Sequence, residues 1–312
     1  MRRLLVTHEA CLAALLAALV LAAWHVDPAF VSGRVQAGLL PQIGETALLA
    51  VPMTLIVITG GIDLSVGSAM ALASVLFGLG FRSGLPVEAC VAVALAAGLL
   101  CGALNGWFVT RFRVHPLIVT LGTMSAFRGL AEGVSAARPV SGFPETFLGI
   151  GQGWAAIGLF VALCAAGSAV LARHVLGRQI YGIGLGEAAA RASGWNVDRL
   201  KASLYAFSGL MAGVAGVLFT ARRNTAKADV GAGLELEVVT AVVLGGTSIF
   251  GGRGTLIGTA LGLAVLHEVR QFVGWRWSND VLNLVVVGAL LIGAVTLNGV
   301  ISRRPAGSVE GG

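Results

Sequence analysis

The sequence predicts an all-α polytopic membrane protein of about ten transmembrane helices, some of them short or broken, and three observations predict it. Of 312 residues, 56% are hydrophobic and only 12% charged, with a mean hydropathy of +0.88; soluble domains run at about 45–50% apolar and about 25% charged. The apolar residues fall into runs near the length of about 20 residues needed to cross a bilayer. Glycine is abundant, at 45 residues without a Gly-X-Y period, which excludes collagen and favours close helix approach and broken helices.

The spans follow in order, all within a single membrane domain, 1–302. The first, 9–25, follows Arg2 and Arg3. It reads as an uncleaved helix, not a signal peptide, because the rest of the chain is equally apolar. The second, 43–60, stops at Gly60-Gly61-Ile62-Asp63-Leu64-Ser65-Val66-Gly67-Ser68, and a short third segment, 65–80, resumes beyond it. A carboxylate at membrane depth is costly unless paired, hydrated or used. At the head of the third segment Asp63 suits an N-cap, helped by Ser65; direct contact with a passing solute is the alternative reading. The fourth span, 88–110, carries Gly102-Ala103-Leu104-Asn105-Gly106. Its Asn105 must find a partner across a helix interface or line a path.

The fifth span, 116–133, opens on Pro116, comfortable in a first helical turn, and continues through Thr120. Further along, Arg128 and Glu132 stand at i,i+4 and are expected to pair, with Arg128 snorkelling outward. A Pro/Gly-containing loop, 134–153, leads to the sixth span, 154–172. The loop 173–202 is too polar to span, and its stretch Gly186-Glu187-Ala188-Ala189-Ala190-Arg191-Ala192-Ser193-Gly194 predicts a helical stub between glycine stops. Glu187 and Arg191 sit in the favourable i,i+4 order. That stub is either a solvated connector or a peg that inserts into a partner. The seventh span is 203–221. The eighth, 235–249, is short, opens on Glu235 and Glu237, which complement a helix dipole, and contains Gly245-Gly246. The ninth and tenth are 254–272 and 279–298, followed by a tail, 303–312.

Gly60-Gly61 and Gly245-Gly246 each interrupt an apolar run ahead of small residues, a faint internal echo. Paired glycine breaks in two halves point to a transport path or a moving joint. Gly60, Gly61, Asp63, Ser65, Gly67, Asn105, Thr120, Gly245 and Gly246 are therefore the candidates for pathway or helix break.

The net charge is +6. In a membrane protein this excess orients loops and does not call for nucleic acid; the surrounding partner is lipid. The basic residues lean modestly toward the N-terminal side, which places both termini in the cytoplasm. Arg222, Arg223 and Lys227 oppose that lean, as solvated loop charges or as part of a docking surface. Cys11, Cys90, Cys101 and Cys164 lie singly in apolar runs and suggest neither disulfides nor zinc. The five histidines are scattered, so no metal site is expected. No Gly-Lys dipeptide occurs, which excludes a Walker A loop. A membrane-edge Ser135 with His267 on another span would be the minimum for an intramembrane hydrolase, but nothing in the sequence brings them together. A stand-alone secondary transporter or channel would share the broken helices.

The ordered set of motifs resembles the permease subunits of bacterial ATP-binding-cassette sugar importers of the ribose, galactose, arabinose, rhamnose and autoinducer-2 family. It comprises Gly60–Ser68, Gly102–Gly106, Ile118-Val119-Thr120-Leu121-Gly122-Thr123, Gly177-Arg178, Glu187–Arg191 with Ser193-Gly194, Val242–Ser248 and Gly251-Gly252-Arg253-Gly254. The stretches 122–129 and 235–240 look most like rhamnose permeases, with pentose or autoinducer-2 permeases close behind. The resemblance implies a location in the bacterial inner membrane and a pore of two permeases, identical or paralogous. It also implies a periplasmic sugar-binding protein and a separate cytoplasmic ATPase that uses ATP and Mg, so this chain binds no cofactor and is not itself an enzyme. The ATPase would engage a coupling helix formed by Gly186, Glu187, Ala188, Ala189, Arg191 and Gly194. Gly186 departs from the Asn that the family often carries there.

Overall fold

The computed structural model of the chain describes residues 2–152, 154–277 and 280–302. Helices dominate: α1 (Arg2–Val26), α2 (Gly33–Leu39), α3 (Gly44–Ile58), α4 (Val66–Arg82), α5 (Val87–Arg111), α6 (Pro116–Ser135), α7 (Glu145–Gln152), α8 (Ala155–Arg173), α9 (Val175–Leu185), α10 (Glu187–Ala192), α11 (Val197–Arg223), α12 (Leu234–Leu244), α13 (Leu256–Trp277) and α14 (Asp280–Ser302). A two-residue ribbon pairs β1 (Val140–Ser141) with β2 (Thr225–Ala226) antiparallel. The fold is thus an all-α polytopic membrane protein. Each of the ten predicted spans coincides with a helix, and among the described residues six stretches are long and apolar enough to cross a membrane: His8–Val26, Gly33–Ile58, α5, α8, α11 and α13. The predicted tail, 303–312, lies outside the described residues.

The two segments read as short are short. α4 has 17 residues and α12 has 11; at about 1.5 Å per residue, α12 covers about half of a ~30 Å hydrocarbon core. Local chemistry fixes the other boundaries. Pro116 occupies the first turn of α6, where His115 Nδ1 accepts from the Leu117 amide at 3.3 Å. Asn196 caps α11 by accepting from the Arg199 amide at 3.0 Å. At its far end α11 stops on Asn224 in the left-handed conformation. The Asn224 side chain then accepts from the amides of Gly142 and Phe143, which ties the ribbon to the end of α11.

The centre of the bundle is the antiparallel pair α5 and α11, packed through small residues. A β-carbon on Gly98 would overlap the Gly209 carbonyl, one on Gly102 would overlap the Tyr205 carbonyl, and one on Gly106 would lie 2.9 Å from Ala202 Cα. Glycines spaced by four on α5 thus face Ala202, Gly209 and Gly213, the close backbone approach that small-xxx-small patterns permit in membranes. Buried side chains of α3, α4 and α12 pack around this pair, with Met53, Met70, Val238 and Val242 at their contacts. One end of α11 carries α10 and the other carries the β ribbon, so the bundle has two distinguishable faces.

Candidate functional site

The break after α3 is a buried polar knot. Asp63 Oδ1 accepts from the Ser65 amide at 3.0 Å and from the Ser65 hydroxyl at 2.7 Å, while Oδ2 accepts from the Ser208 hydroxyl of α11 at 2.8 Å. Asn105 of α5 donates to Ser65 Oγ at 2.7 Å. Thr120 of α6 and Tyr205 of α11 donate to the Ile62 carbonyl at 3.3 and 3.4 Å. Asp63, Ser65, Asn105, Ser208 and Thr120 are all buried. The structure thus gathers Asp63, Ser65, Asn105 and Thr120 at one junction of four helices, in a packed network that leaves no exposed carboxylate for a solute. The N-cap position itself belongs to Ser65. Asp63 stands two residues earlier and closes the turn, because its short side chain reaches the amide at i+2.

The Gly60-Gly61 break meets the loop after α12 at Gly251 and Gly252, not the Gly245-Gly246 pair itself. Gly60 and Gly246 take φ of 81° and 88°, the left-handed region that costs glycine little. The Gly252 amide donates to the Ile58 carbonyl at 2.8 Å. A β-carbon on Gly251 would stand 3.1 Å from the Gly60 nitrogen, and one on Gly184 would overlap the Ile58 carbonyl. The ends of α3 and α9 and the loop after α12 therefore converge on one glycine-lined joint at the α10 end, while Gly246 faces the His8 ring. Gly245 packs on Gly258 of α13, Gly61 under Tyr205, and Gly67 against Gly231 and the Glu235 carboxylate.

α10 is seated by a two-armed clamp. Arg191 donates to Glu187 Oε1 at 2.8 Å and, through both terminal nitrogens, to the Asp198 carboxylate at the start of α11. Lys201 of α11 donates to Glu187 Oε2 at 2.5 Å. Ala190 is buried with Ile183 and Val197. Ala188, Ala189, Ala192 and Gly194 face outward, and Leu185 and Phe250 are exposed on the same end of the bundle. The sequence reading found the Glu187–Arg191 pair; the anchors Asp198 and Lys201 it passed over, although both lie within the same loop-to-helix segment. Gly186 is extended, at φ 179°, and supplies no side-chain cap.

Burial, the largest single influence on the Glu187 carboxyl, pushes it upward. The hydrogen bonds and charges of Lys201 and Arg191 together outweigh burial and hold the carboxyl below its ordinary 4.5.

At the ribbon end a cavity of about 420 Å³ opens among α3, α4, α11, α12, α13 and α14. Two ion pairs form part of its wall. Glu45 and Arg222 meet through two hydrogen bonds of 3.0 Å, and Arg270 donates to Glu237. His267 Nε2, Arg270 Nε and Asn283 Oδ1 are buried at this cavity without a hydrogen-bond partner. Two expectations are corrected here, those for Arg222 and Arg128. Arg222 is no solvated loop charge; it is the partner of a buried Glu45. Glu237 is engaged within the chain, and Glu235 accepts from the Gly233 amide at 3.2 Å at the start of α12. Arg128 does not pair with Glu132; its guanidinium donates to the carbonyls of Ala228 and Val230, at 2.7 Å for the latter, because the segment after β2 passes its tip. Ser135 donates to the Ala131 carbonyl at 2.7 Å and does not line the cavity that holds His267.

The chain matches the family described as branched-chain amino acid transport system / permease component over residues 37–295. It is 34% identical to the autoinducer 2 import system permease protein LsrD of Yersinia enterocolitica, over 78% of this chain and 77% of the relative. It is 33% identical to the ribose import permease protein RbsC of Bacillus subtilis, over 88% and 87%. It is 36% identical to RbsC of Escherichia coli strain K12, over 83% and 84%. With a family match across most of its length and relatives similar over more than three quarters of theirs, the chain belongs to this family of import-system permeases.

Proposed function

We propose that the chain is the membrane-spanning subunit of an ATP-driven sugar importer of the bacterial inner membrane. The α10 end faces the cytoplasm and meets a separate ATPase; the ribbon end faces outward and meets a sugar-binding protein. A second permease, a copy or a paralogue, completes the pore. The observation that carries this reading is the clamp. A six-residue helix with a smooth alanine face is bolted by Glu187, Arg191, Asp198 and Lys201 to the longest helix of the bundle. Such a joint passes a push on α10 directly into α11. The glycine joint where α3 and α9 end against the loop after α12 is the hinge at which the spans rearrange. The relatives' printed names, ribose and autoinducer 2 import, support a sugar or sugar-like solute, with rhamnose and pentoses in the same range.

The test is uptake by proteoliposomes holding the permease, its ATPase and its binding protein. Uptake of a neutral sugar is expected to require ATP and all three components. Glu187→Gln combined with Arg191→Ala is expected to leave the complex assembled and ATP hydrolysis running, while uptake falls at least tenfold. Uptake that persists without the ATPase would make the chain a stand-alone transporter and overturn the proposal. Normal uptake by the double variant would remove the coupling role of α10.

A further inference from the structure

The cavity at the ribbon end lies at the opposite end of α11 from the clamp, and several polar atoms buried in its wall lack partners. A buried polar atom without a partner is expensive, and native structures hold few of them. Here His267 Nε2, Arg270 Nε and Asn283 Oδ1, from α13 and α14, are left without partners at one cavity. His267 is only 7% exposed. The volume, about 420 Å³, falls within the range of about 300–1,000 Å³ typical of small-molecule sites.

The charges around the cavity narrow the ligand. Both wall carboxylates are already met, Glu45 by Arg222 and Glu237 by Arg270. An anion would have to displace a carboxylate from a guanidinium to win a salt bridge, and a cation would have to do the reverse. Arg223 also lines the cavity but is exposed. The unpartnered buried atoms are an imidazole nitrogen, a guanidinium N–H and an amide oxygen, and Gln42, Thr46 and Gln271 add further neutral polar groups to the wall. That mix of donor and acceptor suits hydroxyl groups, each of which gives one hydrogen bond and takes others. The adjoining hollow along Lys227, Asp229 and Val230 shares Phe219, Arg223 and Gly231 with the cavity, so its mouth continues to the surface at the ribbon end.

We infer that this cavity is a binding site within the single subunit for a neutral polyhydroxylated solute, held by His267, Arg270 and Asn283. The inference rests on the reading of the chain as a sugar importer and adds to it a place where the solute pauses before translocation. The buried Asp63 knot also leaves one atom, Asn105 Oδ1, without a partner, but none of its residues lines the cavity.

The test uses the complete complex in proteoliposomes. D-Ribose, L-arabinose and L-rhamnose are first screened for ATP-dependent uptake by the unaltered complex. Uptake of any of them that persists without ATP or the ATPase would refute the importer reading itself, and the site with it. With the transported sugar in hand, Asn283→Cys is made in a chain whose four native cysteines are replaced by serine or alanine. Its modification by a membrane-impermeant methanethiosulfonate is timed with that sugar or with D-gluconate present. The neutral sugar is expected to slow modification at least threefold, and gluconate to leave it unchanged. His267→Leu is expected to cut uptake at least tenfold while complex assembly and binding-protein-stimulated ATP hydrolysis persist, and His267→Gln, which restores a hydrogen-bonding tip, is expected to recover part of it. Uptake intact in His267→Leu, no protection by the transported sugar, or stronger protection by gluconate would overturn the site while leaving the importer reading standing.

Discussion

Replacing Asp63 separates a structural carboxylate from a transport one. The side chain accepts three hydrogen bonds, two from Ser65 and one from Ser208. Bonds to a charged group contribute about 1.5–3 kcal/mol each, which sets an upper bound of about 4–9 kcal/mol for all three. Relief from desolvating the carboxylate offsets part of that, leaving about 3–5 kcal/mol lost in Asp63→Ala. Against a typical stability of about 5–15 kcal/mol, this variant should melt well below the unaltered chain or fail to assemble. Asp63→Asn is different. Its amide oxygen can keep both bonds from Ser65, and its NH₂ can donate to Ser208 Oγ once that hydroxyl turns, so the cost is about 1–2 kcal/mol. The assay is thermal melting in detergent, followed by monodispersity on size exclusion, with uptake measured in parallel. The reasoning fails if Asp63→Ala melts like the unaltered chain, or if Asp63→Asn keeps its stability but loses uptake. The second result would return the carboxylate to the solute path.

Arg222→Ala should cost about 3–5 kcal/mol, because it strands a buried Glu45; Glu45→Gln with Arg222→Met should recover most of the melting temperature, and a double variant as unstable as the single would refute the pairing. Gly102→Ala should destabilise by about 1–3 kcal/mol, since its methyl overlaps the Tyr205 backbone, whereas Gly129→Ala on α6, with open space around it, should be neutral or stabilising by up to about 1 kcal/mol; equal melting shifts for the two would contradict the close approach of α5 and α11. Glu187 predicts a pH dependence. A carboxyl held below 4.5 contributes its stabilisation fully above that value and loses it as pH falls through the depressed folded value. Protection of the α10 amides from hydrogen exchange, corrected for intrinsic rates, should be flat from pH 8 to 5 and fall only below about 4.5. A loss between pH 8 and 6 would rule Glu187 out as its cause.

The sequence was most legible where one residue type has few options. Apolar runs had to be membrane helices, so every predicted span has its helix. An Asp between glycines had to be satisfied locally, and Ser65 stood two residues away. Glu187 and Arg191 could be paired because both lie on one helical turn. Contacts across the bundle were hidden. Ser208 is a single hydroxyl in an apolar run, and nothing nearby announces Asp63 as its partner. Arg128 had a sequence neighbour of opposite charge, yet chose carbonyls that lie about a hundred residues on, because tertiary packing brings that segment past its tip. The cavity was the least legible. Its walls come from six helices spread over most of the chain. The one early sign was ionisable or strongly polar residues inside predicted spans, Glu45, His267 and Arg270 among them, each of which invites a functional reading at membrane depth.

The glycine seam between α5 and α11 has a mechanical consequence. Backbones in contact at Gly98, Gly102 and Gly106 cannot slide past each other without collision, so the two helices behave as one beam. With 27 residues, α11 makes that beam about 40 Å long. Its near end is gripped by the α10 clamp, and its far end carries Arg222 and the tether of the ribbon. A tilt of about five degrees applied at α10 would sweep the far end by about 3.5 Å over that length, enough to reshape the mouth of a cavity whose wall includes Arg222. Stiffness at the centre thereby turns a small angular event on one side of the membrane into a linear one on the other.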